Sequence, residues 1–180
     1  MGRSAHDDRA LFEFLMLEAL QCGLSWDLIL KKREALKEAF RGFDPLTIAT
    51  FGERDVTRIM ATDGVIHSER KIRAVIKNAR AYLAVAKEYG SFDRYLWGYT
   101  KGKTLFYKGH GTGTLPTANG LSRAISRDLK KRGFSFVGPV TIYSYLEAVG
   151  VINDHDESCP RYQALFSLSD AVWADPFEES

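Results

Sequence analysis

Asp128-Leu129-Lys130-Lys131-Arg132-Gly133-Phe134-Ser135-Phe136-Val137-Gly138-Pro139 reads as the end of one helix, a tight connection and the start of another. The first of these helices begins at about Leu121 and stops at Gly133; Pro139 opens the second, which ends at Gly150. A glycine turn ahead of a helix exposes backbone N–H groups at the positive helix end, a ready place for phosphate. Lys130, Lys131 and Arg132 would add a sequence-independent attraction to a polyanion such as DNA. The plainer alternative is an ordinary corner between two helices with a solvated charge run.

Outward from this corner the chain keeps to a helical period. Asp7 or Asp8 caps a helix through Cys22, with Leu11, Phe12, Leu15, Met16, Ala19 and Leu20 forming a broad apolar face, and Gly23 stops it. Ser25 caps the next, which runs through Leu28, Ile29, Leu36 and Phe40. Asp44-Pro45 opens a short helix, residues 55–61 another, and Asp63-Gly64 turns the chain. A long helix from Ser68 carries Ile72, Val75, Ile76, Ala79, Leu83 and Ala86 on one face and ends at Gly90; Ser91 caps a short successor. Residues 100–120 form a Gly/Thr-rich loop long enough for a functional role. No internal repeat and no alternating strand stands out. The expected fold is all-α, a single helical domain over residues 1–160 with an acidic extension over 161–180 whose apolar residues, Val172 and Trp173 among them, fold back on the body.

Composition agrees with one soluble globular domain: 180 residues, 45% hydrophobic and 27% charged, with only Cys22 and Cys159 as cysteines. That excludes a disordered tail protein and a disulfide scaffold, and points to a reducing interior. No apolar run reaches the roughly 18 residues of a membrane span, so no membrane partner is expected and cytoplasm is the default. The net charge of +2 hides an asymmetry. Residues 1–149 hold 24 Lys or Arg against 16 acids, whereas residues 150–180 hold one Arg and seven acids. A basic body admits a polyanionic partner on one face.

Two further features carry chemistry. On its helix, Glu18 has Phe14, Leu15, Gln21 and Cys22 three and four positions away, with no cation among them. Such a carboxylate either reaches water at the core edge or is buried for a purpose, because burial without a partner is costly. Beside it, Gly23-Leu24-Ser25-Trp26 presents an aromatic face suited to stacking a flat, nitrogen-rich ligand, or else a tryptophan that seals two helices. His155 and Cys159 form a His-x3-Cys pair of zinc-ligand type, without a second matched pair.

Leu11-Phe12-Glu13, Leu17-Glu18 and Gln21-Cys22-Gly23-Leu24-Ser25-Trp26 resemble the opening of the DNA-3-methyladenine glycosylase I family. The resemblance continues through Leu30–Glu34, Phe43-Asp44-Pro45, Lys71-Ile72 and Asn78-Ala79-Arg80, then Leu129–Pro139 and Asn153-Asp154-His155 with Cys159. It implies a helix-hairpin-helix glycosylase domain acting in base-excision repair. The implied reaction hydrolyses the N-glycosidic bond of 3-methyladenine in alkylated double-stranded DNA, leaving an abasic site and the free base. By resemblance Glu18 is the catalytic and base-binding carboxylate and Trp26 stacks on the base. Leu24, at the Gly23 turn, fills the gap left by the flipped nucleotide, while the Val137-Gly138 turn and Lys130, Lys131 and Arg132 hold DNA. Asp154 is expected to brace the loop around His155 rather than to act in catalysis.

The family further implies a structural zinc and a monomer. His155 and Cys159 match two of its four ligands; the family's other two, with a tyrosine of the base pocket, lie in a segment upstream of Leu11 that this sequence does not match. The expectation from that mismatch is weak or absent zinc and an incomplete pocket. It leaves a non-catalytic module that binds damaged DNA as the alternative to the enzyme.

Overall fold

The structure, a computed structural model, describes residues 5–107, 116–154 and 172–174. Its first helix, α1 (Asp8–Gln21), is the hub. Asp7 caps it by accepting from Ala10 N at 2.8 Å. Leu15, Met16, Leu17, Glu18, Ala19 and Leu20 are all buried, so the helix is enclosed on every side rather than along one stripe. Neighbours lock on to it through polar handles set among apolar contacts. Tyr82 donates to the Asp8 carbonyl at 2.5 Å and Tyr145 to the Leu11 carbonyl at 3.2 Å.

The other helices wrap this hub. Ser25 accepts from Leu28 N and starts α2 (Trp26–Ala39); Asp44 accepts from Thr47 N and starts α3 (Pro45–Ala49) with Pro at its first position. After α4 (Glu53–Met60) comes α5 (Glu69–Tyr89), which ends at Gly90 in the left-handed conformation, φ 89°. Ser91 caps α6 (Phe92–Gly98), and the Asp8 carboxylate takes the Phe92 and Asp93 N–H groups at 3.0 and 2.9 Å. Of the two acids at the chain's first cap, Asp7 thus serves its own helix and Asp8 serves another. The last pair, α7 (Gly120–Lys131) and α8 (Pro139–Val149), pack on each other, and α8 packs on α1.

The architecture is all-α, with one addition. Three short strands, β1 (Leu105–Tyr107), β2 (Ile152–Asn153) and β3 (Val172–Ala174), form a parallel sheet in the order β2-β1-β3. The expectation of no strand is corrected here. Segments of two or three residues are too short to show the alternation that marks a strand in sequence. The sheet also brings residues 172–174 of the acidic extension back on to the body, as expected for Val172. Phe166, Leu168 and Phe177, the Gly109–Thr114 loop, and the zinc candidates His155 and Cys159 lie outside the described residues.

Candidate functional site

Glu18 is buried, with 4% of its surface exposed, and its Oε2 has no hydrogen-bond partner. Of the two readings of this residue, the solvated edge glutamate is therefore excluded. Desolvation raises its carboxyl from the ordinary 4.5 to about 7. A buried acceptor left unmatched inside a helix hub is uncommon, which makes Glu18 the leading candidate site residue. Across from α1, Glu147 of α8 and Asp154, just after β2, add two more acids. Asp154 is buried and accepts from Tyr143 Oη at 3.0 Å. Glu147 remains exposed as a residue, yet its carboxyl is pushed upward, first by desolvation, then by its hydrogen bond to Asp154, the Asp154 charge and the Glu18 charge. Glu18 and Glu147 thus both have carboxyls raised chiefly by desolvation on facing helices.

The turn after α1 is held by a residue far along the chain. Lys71 of α5 donates to the Leu20 and Cys22 carbonyls, both at 2.7 Å, satisfying two of the acceptors that a helix end leaves open. Gly23 follows with φ 80°, and Leu24 N closes the turn on Gln21 O at 2.6 Å. Leu24 and Trp26 are half-buried: each packs on the core and keeps part of its surface exposed. The structure brings Glu18, Leu24 and Trp26 to one end of α1 and the start of α2.

The second part of the site is the corner between α7 and α8. Val137 is fully buried and its carbonyl accepts from Ser126 Oγ at 2.6 Å, so its side chain is closed to a ligand. No side chain caps α8 at Gly138, Pro139 contributes no N–H, and a Cβ built on Gly138 would meet nothing within 4 Å. This leaves an open helix N-terminus beside exposed Lys130 and Lys131. Arg132 differs from its two neighbours. Its guanidinium is bound to Glu88 at 2.6 Å and Asp128 at 2.7 Å and lies over the Tyr89 ring, so its charge is largely matched within the protein.

Asn78 joins the two parts. It is fully buried on α5, donates to Ser135 O at 3.0 Å and accepts from Ser135 N at 2.8 Å, and its amide also meets Met16 Sδ at 3.8 Å. In the sequence, Lys71 and Asn78 stand out only as part of a family pattern; their partners are 49 and 57 residues away, beyond any local spacing signal. Among the described residues no group of three or more His, Cys, Asp or Glu could hold a metal ion. His6 is bound to Asp93 at 2.7 Å and stacks on Trp97. The described residues therefore do not fit a zinc site by themselves.

The sequence profile of the methyladenine glycosylase family matches residues 1–162. DNA-3-methyladenine glycosylase of Haemophilus influenzae is 39% identical over 159 residues, 88% of this chain and 86% of its own length. DNA-3-methyladenine glycosylase 1 of Escherichia coli is 40% identical over 156 residues, 87% of this chain and 83% of its own. Among solved structures, 3-methyladenine DNA glycosylase I from Staphylococcus aureus superimposes with a TM-score of 0.84 at 39% identity, covering 89% of this chain and 86% of that one. A single-residue variant of 3-methyladenine DNA glycosylase I in complex with 3-methyladenine gives the same TM-score and identity. The chain belongs to the methyladenine glycosylase family.

Proposed function

We propose that this protein is a monofunctional DNA glycosylase that removes 3-methyladenine from alkylated duplex DNA in base-excision repair. The observation that carries the reading is the buried, unmatched carboxylate of Glu18 at the α1 end in a member of this family. Methylation at N3 makes the adenine cationic. When the bond from the sugar C1′ breaks, its electron pair leaves with the base, which departs neutral; water adds to C1′ and loses a proton, giving the abasic sugar. The substrate thus carries its own activation, and the protein's task is to extract and recognise the base.

Glu18 is the residue for that task. Its carboxyl titrates near neutrality in the free protein, and a cation in the pocket draws off the proton and favours the carboxylate. The ionised group then complements the base's charge and accepts its N–H bonds, while Trp26 supplies a stacking face. Leu24 is assigned the vacated place in the duplex. The uncapped N-terminus of α8 at Gly138, in a helix-hairpin-helix arrangement with α7, takes a backbone phosphate, and Lys130 and Lys131 add attraction. Asp154, bound to Tyr143, braces the segment after α8. The protein is read as a cytoplasmic monomer; no helix among the described residues is long and apolar enough to cross a membrane. With the family's other two ligands unmatched, His155 and Cys159 are expected to hold zinc weakly or not at all, which metal content of the wild type against His155→Ala checks.

The test is release of free 3-methyladenine from methylated duplex DNA, with Glu18→Gln in parallel. The expected result is release by the wild type, reduced on the order of 100-fold or more in Glu18→Gln. Duplex binding without any release by the wild type would sink the enzyme and leave a damaged-DNA-binding module.

A further inference from the structure

Along α5, Arg70, Arg73 and Lys77 recur at a spacing of three and four and so share one face, which opens on the corner between α7 and α8. Between them lies an open groove of about 420 Å³ whose lining includes these three cations, Lys130, and the Phe134–Phe136 turn. No carboxylate lines it. Its cations are not equivalent. Arg73 is already engaged, with two nitrogens on Glu53 at 2.6 Å and a third on Glu69 at 2.7 Å. Arg70, Lys77 and Lys130 are exposed and make no ion pair among the described residues. Arg70 lies over the Phe136 ring at 4.9 Å, which leaves the edge of its guanidinium open, and Lys77 makes one long bond, 3.3 Å, to Ser135 Oγ.

Phe136 adds a second observation. Its φ of 58° is a left-handed conformation that a bulky residue seldom adopts. The Phe136 ring lies under the Arg70 guanidinium, and both residues line the groove.

Resting on the glycosylase reading, we propose that this groove is a second phosphate track for duplex DNA, in which Arg70, Lys77 and Lys130 hold backbone on the α5 side of the corner. From Arg70 to Lys77 the helix advances about 10 Å, more than one phosphate group occupies. The free cations are therefore spaced for a phosphodiester chain rather than for one small anion.

The test measures binding of a duplex bearing a non-cleavable abasic-site analogue over a series of salt concentrations. Wild type is compared with Arg70→Ala, Lys77→Gln, the double variant and Arg70→Lys; the glutamine keeps a donor for Ser135 Oγ while removing the charge. Each lost cation is expected to lower the slope of log K against log salt by about one and to weaken binding about 3- to 10-fold at physiological salt, with Arg70→Lys retaining the slope. Binding of free 3-methyladenine should stay at the wild-type value. A wild-type slope and affinity in the double variant would overturn the track, as would loss of free-base binding alongside duplex binding, which would mark a general structural defect. Wild-type release of 3-methyladenine, assayed separately, keeps the two ideas apart. Release with an unchanged double-variant slope defeats the groove alone; no release with a groove-dependent slope defeats the glycosylase and leaves the groove.

Discussion

Glu18 costs the protein stability for as long as its site stays empty. Its carboxyl is raised to about 7 by desolvation, so between roughly pH 4.5 and 7 the folded protein holds a proton there that the unfolded chain does not. Stability therefore falls as pH rises through that window, by on the order of 3 kcal/mol at full ionisation. Glu18→Gln removes the ionisation, so it should stabilise by up to about 3 kcal/mol at pH 8 and by little at pH 4.5, while base release is lost. Denaturant unfolding of both proteins at the two pH values checks this; an equal difference at both would mean the carboxyl is solvated. Lys71 has the opposite character. Replacing it by Met strips the Leu20 and Cys22 carbonyls of their donor and should cost about 1–2 kcal/mol. Base release should fall several-fold in the same variant, because the Gly23-Leu24 turn loses its anchor; thermal melts and single-turnover excision measure the two effects.

At the scale of elements, the corner between α7 and α8 depends on α5. The Asn78 amide pairs with both backbone groups of Ser135 as a neighbouring strand would, from a fully buried position. Asn78→Ala leaves that N–H and C=O without partners and should cost about 3 kcal/mol. It should also weaken duplex binding more than free 3-methyladenine binding, since the turn moves and the Glu18 end of α1 does not. Equal losses in the two binding assays would refute a specific role for the clamp. Helix ends are the most legible part of this fold, because Asp7, Ser25, Asp44 and Ser91 each cap the helix that directly follows. Glu18 and the Gly23–Trp26 turn are legible for a related reason: a carboxylate without a cation at helical spacing and a glycine-aromatic turn are local patterns. What sequence does not show is what folding brings together. The Asn78 clamp, the Lys71 anchor and the free groove cations Arg70 and Lys77 act on partners remote in the chain. Arg132 carries the same lesson in reverse, a member of a basic triplet whose charge is met by Glu88 from a different helix.

Charge is organised over the whole molecule, with a basic body and seven acids among residues 150–180. Strand β3 ties residues 172–174 of that acidic stretch to β1, and Asp175, Glu178 and Glu179 follow it within five positions in the sequence. If their negative charge acts on the body, it competes with DNA phosphates for the body's field, over a distance set by screening. The triple variant Asp175→Asn, Glu178→Gln, Glu179→Gln raises the formal net charge from +2 to +5 (three acids removed from 23, against 25 Lys and Arg) without touching the Glu18 end of α1 or the α7–α8 corner. The expected outcome is a few-fold tighter binding of undamaged duplex at low salt. Because the Debye length shrinks from about 10 Å at 0.1 M to about 3 Å at 1 M, the gain should fade as salt is raised. Release of 3-methyladenine at saturating DNA should be unchanged, since the acids act on encounter and not on the bound base. Binding curves for the two proteins that coincide at every salt concentration would show that these acids lie outside the reach of the DNA-facing field.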